Sequence, residues 1–109
     1  MRDLISSFSY PDDYLVLKPR HSAFFATQLH TLLEYMGERR LVITGLAADM
    51  CGLFTALDAY VRDFEVVLPE DCVASLTDTH RDEALRYARR VLHADTTPSE
   101  ALDLAALAR

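Results

Sequence analysis

Apolar residues recur along this chain in two alternating rhythms, short unbroken runs and stripes spaced three and four apart. Tyr14-Leu15-Val16-Leu17 is a run of the first kind. It is bounded by the Pro11-Asp12-Asp13 turn signal and by Pro19, and predicts a buried strand. Leu29, Leu32, Leu33 and Met36 follow at i, i+3, i+4 and i+7, the stripe of an amphipathic helix, with Gly37 placed to end it. Leu41-Val42-Ile43 predicts a second strand, buried on both faces, and a helix over about 51–62 puts Leu53, Ala56, Leu57 and Tyr60 on one side. Glu65-Val66-Val67-Leu68 predicts a third strand, and residues 80–92 place Ala84, Leu85, Ala88, Val91 and Leu92 on one helical face. Thr97-Pro98-Ser99-Glu100 reads as a further helix start, with Thr97 at the N-cap, proline at N1 and Glu100 at N3, leading into an alanine- and leucine-rich end.

Strands alternating with helices of about a dozen residues define the α/β class. The expected architecture is a three-layer α/β/α arrangement around a parallel sheet, built from three or four βα units as one domain over residues 1–109. Ligands meet such sheets beyond the carboxyl ends of the strands, which directs attention to residues 18–24, 45–51 and 69–75.

Charge and composition narrow the chemistry. The 11 Lys and Arg against 17 Asp and Glu leave a net charge of -6, so nothing here would neutralise a run of phosphates and nucleic acid is not an expected partner. No stretch approaches the roughly 18–20 consecutive apolar residues of a membrane span. Cys51 and Cys72 form no CxxC pair or disulfide framework, and the first ten residues lack the apolar core of a signal peptide, so a reducing cytoplasm is expected. The only glycines are Gly37, Gly45 and Gly52, which leaves no phosphate-cradling loop. His21, His30, His80 and His93 make no HExxH or Cys/His cluster. No cofactor and no metal are therefore expected. The charges of the helix around Arg81 to Arg90 read as a solvated face, with Asp82 and Arg86 as an i,i+4 pair.

Within residues 45–51, Cys51 falls where its helix begins. Unpaired N–H groups and the positive end of the helix dipole favour a thiolate there, and the same N–H groups can meet the oxygen that turns negative when sulfur attacks a carbonyl. Against this, cysteine is among the most buried residue types, and a structural thiol would look the same. Lys18, just after the first predicted strand, should emerge at the same rim, where a cation stabilises a thiolate; a solvated lysine at a strand end is the alternative. Spacing alone leaves both pairs of readings open.

Taken together, Lys18-Pro-Arg-His-Ser-Ala-Phe-Phe-Ala-Thr-Gln-Leu29, Val42-Ile-Thr-Gly-Leu-Ala-Ala-Asp-Met-Cys51, Thr55-Ala-Leu-Asp-Ala59 and Asp71-Cys-Val-Ala-Ser75 resemble the isochorismatase-like cysteine hydrolases. The family, which includes nicotinamidases and N-carbamoyl amide hydrolases, uses an Asp, Lys and Cys triad and a thioester on the cysteine. The resemblance implies Cys51 as nucleophile and Lys18 as the cation beside it. It implies Ala47-Ala48 as a non-proline cis peptide, with the N–H groups of Met50 and Cys51 as an oxyanion hole. Arg20 and His21 would stand at the edge of the substrate pocket, and Asp71 and Ser75 would shape loops. Members that cleave the vinyl ether of isochorismate do not need the cysteine, so Cys51 favours a small-molecule amide or ureide as substrate. The departure lies ahead of Lys18, where the family's first strands and general-base aspartate have no counterpart. Asp12 and Asp13 precede their strand and belong at the wrong end of the sheet. The resemblance thus covers the C-terminal portion of the domain, and an uncovered sheet edge implies a homo-oligomer. The alternative is a non-catalytic α/β module serving in assembly or binding.

Overall fold

The structure, a computed structural model, describes residues 12–107; the Pro11 end of the first turn and the last two residues of the alanine-rich terminus lie outside the described residues. Strand β1 (Arg40–Val42) runs parallel to β3 (Glu65–Val67), with Arg40 opposite Glu65 and Val42 opposite Val67. The same two segments continue as a second parallel ladder between β2 (Gly45–Leu46) and β4 (Val73–Ala74), joined to the first by the Ile43 N–H on the Val67 carbonyl at 2.8 Å and the Gly45 N–H on the Cys72 carbonyl at 2.9 Å. On the far side of β3, Asp95 bridges Val67 in parallel, and the Leu68 N–H reaches the Asp95 carbonyl at 2.7 Å. The third predicted strand is therefore central, which is why Val66, Val67 and Leu68 are all buried.

The predicted strand at residues 14–17 does not form. These residues run without a ladder among the described residues, and Leu17 is 84% exposed. An apolar run becomes a strand only where a neighbour takes up its backbone N–H and C=O groups, and none of the described strands lies beside it.

Helix α1 (Leu29–Met36) ends as its stripe predicts. Gly37 adopts a left-handed φ of 73°, and the N–H groups of Gly37 and Glu38 close on the carbonyls of Glu34 and Leu33 at 3.1 and 3.0 Å. The helix expected over 51–62 is divided into a widened turn at Ala48–Gly52 and the α-helix α2 (Leu53–Val61). Helix α3 (Asp78–Val91) begins two residues earlier than expected, because the Thr77 hydroxyl caps it by accepting the His80 N–H at 3.1 Å. On its outer face Asp82 pairs with Arg81, at 3.1 Å, rather than with Arg86.

Thr97 does not cap a long helix. Its N–H and hydroxyl both turn back to the Asp95 carboxylate, at 3.0 and 2.6 Å, and the chain makes a single 3-10 turn at Ser99–Ala101 before the one-turn helix α4 (Leu104–Leu107). Asp71 accounts for this. Its carboxylate takes the Ser99 N–H at 2.8 Å and the Ser99 hydroxyl at 2.5 Å, pinning the segment to the rim of the sheet. Leu33, Val66, Leu68, Ala84, Leu85, Ala88 and Leu92 fill the core, and the fully buried Ala56, Ala59 and Ala88 let backbones approach closely. Among the described residues no helix is long and apolar enough to cross a membrane.

Candidate active site

The loop after β2 carries the predicted cysteine. Gly45 opens it with φ of 108°, a conformation that side chains rarely adopt. The cis peptide falls at Leu46–Ala47, one residue before the expected Ala47-Ala48 bond. Beyond it the Ala47 carbonyl accepts two N–H groups, from Met50 and from Gly52, each at 3.0 Å. The second closes a turn of five residues rather than four, which accounts for the widened start of the helix. The Met50 N–H, expected to serve an oxyanion hole, donates here to the Ala47 carbonyl. Ala48 is fully buried beneath the turn. Asp49 is tied to the neighbouring strand end, its N–H donating to the Ser75 hydroxyl at 3.3 Å and its carboxylate accepting from that hydroxyl at 2.8 Å, with His80 Nδ1 4.0 Å away. Ser75 and Asp71 thus act on loops, as expected of them. The two hydrogen bonds from Ser99, hydroxyl first and N–H second, hold the exposed Asp71 carboxyl below the 3.8 of an ordinary aspartate.

Lys18 and Cys51, thirty-three residues apart, meet at the rim. Lys18 Nζ lies 3.5 Å from Cys51 Sγ and 3.5 Å from the Arg20 carbonyl that steadies it. His21 Nδ1 stands 3.7 Å from the same sulfur, and its ring rests edge-on against Phe54 at 5.6 Å. The thiol of the second cysteine, Cys72, donates to its neighbour Asp71, at 3.6 Å. Arg20 is exposed and lines a hollow of about 290 Å³ together with His21, Phe25, Phe54, Leu57 and Asp58.

What holds Lys18 there was not assigned from sequence. The irregular stretch after it is clasped to α2. The buried Ser22 hydroxyl donates to the Asp58 carboxylate, the Ala23 N–H donates to the Thr55 hydroxyl at 3.0 Å, and Arg62 holds Asp58 in turn at 3.0 Å. Within the stretch, Thr27 closes a local turn onto the Ala23 carbonyl at 2.5 Å, and Phe24 buries its ring 4.9 Å from the Arg62 guanidinium. The signal was present. Thr55 and Asp58 stand three apart, on one helical face, and Ser22 and Phe24 belong to the stretch that face receives.

Fold and site together define a parallel α/β domain that sets a lysine from an irregular loop against a cysteine at the start of a helix. The family model for the isochorismatase domain matches residues 1–100, and the chain belongs to that family. It is 44% identical over 100 residues to the uncharacterized isochorismatase family protein YaaI of Bacillus subtilis (strain 168), a match covering 91% of this chain and 55% of the relative. Among solved structures, an isochorismatase family protein from Desulfovibrio vulgaris superposes with a TM-score of 0.84 at 29% identity, covering 93% of this chain and 52% of the other. N-carbamoylsarcosine amidase from Thermoplasma acidophilum superposes at 0.78 with 32% identity, covering 87% and 53%. The nicotinamidase SaPncA from Staphylococcus aureus also superposes at 0.78, with 27% identity, covering 87% and 62%. The chain spans about half the length of the curated relatives it matches.

Proposed function

We propose that the chain acts as a cysteine hydrolase on the C–N bond of a small amide or ureide, forming a thioester on Cys51. The observation that carries this reading is the 3.5 Å approach of the Lys18 ammonium to the Cys51 sulfur. A thiolate so held attacks the carbonyl carbon, and the oxygen that becomes negative is met by N–H groups at the start of the helix. Since the Met50 N–H already donates to the Ala47 carbonyl, this reading gives that oxygen to the Cys51 N–H. Collapse expels the amine, and water then releases the acid from the thioester. The hollow, with Phe25, Phe54 and Leu57 as apolar walls and Arg20 as a cation, suits a small substrate with a polar end. A nicotinamidase and an N-carbamoylsarcosine amidase share this fold, and their substrates are the first to try.

The chain is further read as self-associating. The outer side of the 40–46 segment has no partner strand among the described residues, and Leu46 is 74% exposed. One preparation tests both statements. Sedimentation is expected to show dimers or larger species. Slow turnover of nicotinamide or an N-carbamoyl amide is expected to be abolished in Cys51→Ala and reduced about 100-fold in Lys18→Met. Turnover that survives Cys51→Ala would sink the thioester route, and a monodisperse monomer would sink the association.

A further inference from the structure

The widened turn that carries Cys51 is held from two sides. Within the chain leading into it, the Ala47 carbonyl accepts the N–H groups of Met50 and Gly52. From the end of β4, the Ser75 hydroxyl accepts the Asp49 N–H at 3.3 Å. The same hydroxyl donates its proton to the Asp49 carboxylate at 2.8 Å. A hydroxyl has one donor and two lone pairs, so a single oxygen can do both. Main chain and side chain of Asp49 are thus gripped by one atom, two residues before the sulfur.

We infer that Ser75 and Asp49 are positioning residues for Cys51, anchoring its turn to the sheet so that the sulfur stands against Lys18; this rests on the reading of Cys51 as nucleophile. A turn of five residues is rare beside one of four, and an uncommon conformation persists where its surroundings over-determine it. The grip on Asp49 supplies that from the sheet. Released there, the turn is free to tighten by one residue, which rotates Cys51 about the helix axis and carries the sulfur off the Lys18 ammonium, now 3.5 Å away. The attraction between ammonium and thiolate weakens as they part, and a misplacement of about 1 Å can cost a positioned reaction about 100-fold.

What Asp49 gives the site is place and not charge. Its carboxylate is engaged by the Ser75 hydroxyl, with His80 Nδ1 of α3 4.0 Å from its second oxygen, so its charge is drawn toward β4 and α3. The sulfur meets other groups, Lys18 Nζ at 3.5 Å and His21 Nδ1 at 3.7 Å, both from the irregular stretch. Ser75 therefore touches neither the sulfur nor its cation, and acts on both through the turn. A hydroxyl at the end of one strand fixes a thiol at the end of the next, and the parallel pairing of β2 with β4 brings the two ends together.

The test uses the whole chain and needs no substrate. Alkylation of Cys51 and Cys72 by iodoacetamide at about pH 7 is followed peptide by peptide, the thiolate being the reacting species, and a urea midpoint is taken for each variant. In the unsubstituted chain Cys51 should react far faster than Cys72. Ser75→Ala and Asp49→Ala should each slow Cys51 by about tenfold or more, and the double variant should be no slower than Ser75→Ala, because the two residues form one contact. Ser75→Thr and Asp49→Asn, which keep the hydroxyl and its acceptor, should recover the rate. Thr77→Ala is the control for loosening of the same region. It removes the cap of α3, two residues beyond Ser75, and should lower the urea midpoint while Cys51 stays fast. A Cys51 that remains fast in Ser75→Ala overturns the positioning role and leaves the nucleophile standing. So does a loss that Thr77→Ala reproduces, that multiplies in the double variant, or that the conservative variants fail to recover. Equal rates at the two cysteines in the unsubstituted chain overturn the nucleophile, and the positioning role with it.

Discussion

Gly45 stands at φ of 108° where β2 turns into the cysteine loop, and a Cβ added there would meet nothing within 4 Å. Its requirement for glycine is therefore conformational and not a matter of space. Gly45→Ala should lower stability by about 1–3 kcal/mol, read as an earlier urea midpoint at unchanged slope. If the loop instead relaxes into an ordinary conformation, the midpoint will hold and the Cys51 thiol will lose its reactivity, since Gly45 fixes the approach to Ala47. The conformation also explains why a glycine six positions before a cysteine carries information in the sequence. It marks the place where the chain must leave the sheet by a route closed to other residues. The neighbouring detail was less legible. The cis peptide expected at Ala47–Ala48 falls one residue earlier, at Leu46–Ala47.

At the scale of elements, the clasp between residues 22–24 and α2 converts two sequence motifs into one mechanical part. Asp58→Ala removes the acceptor of a buried hydroxyl and the partner of Arg62, and should cost about 1–3 kcal/mol in denaturant unfolding. It should also bring the alkylation rate of Cys51 down toward that of Cys72, because Lys18 and His21 ride on the released stretch. Retention of fast alkylation in Asp58→Ala would mean that the Ala23–Thr55 hydrogen bond and the burial of Phe24 suffice to hold the stretch. The helices were the legible elements, since the stripe of Leu29, Leu32, Leu33 and Met36 and the glycine after it state both face and end. The strands at 41–43 and 65–68 were legible as runs, and the pairing of Arg40–Val42 with Glu65–Val67 makes the sheet. Residues 14–17 misled because an apolar run records a wish for burial and says nothing of whether a partner lies beside it. Residues 97–100 misled for another reason. Capping residues compete for donors, and Asp71 and Asp95, distant or near in sequence, had prior claim on Ser99 and Thr97.

Over the whole molecule, those two aspartates fasten the C-terminal segment to the sheet and give its attachment a dependence on pH. Both carboxyls are held below the ordinary 3.8, Asp71 by the hydroxyl and N–H of Ser99, Asp95 by the hydroxyl and N–H of Thr97. A depressed folded value means that the contribution is fully present above about pH 4, and is lost as pH falls through the folded values. Asp71→Asn should lower the urea midpoint at neutral pH and flatten its loss between about pH 4 and about pH 2, so that the two chains converge in acid. An unchanged acid limb would show that Asp71 is not among the groups that titrate on unfolding. A different consequence follows from the clasp. The stretch bearing Lys18 and His21 joins the rest through a few hydrogen bonds and one buried ring, whereas Cys51 belongs to the core-packed helix start, so the two halves of the site can part while the core stays folded. A ligand lodged in the hollow touches both halves and finds its full complement only in the closed population. Its apparent affinity is the intrinsic affinity multiplied by the closed fraction, and any group that tightens Ser22 against Asp58 strengthens binding without touching the ligand.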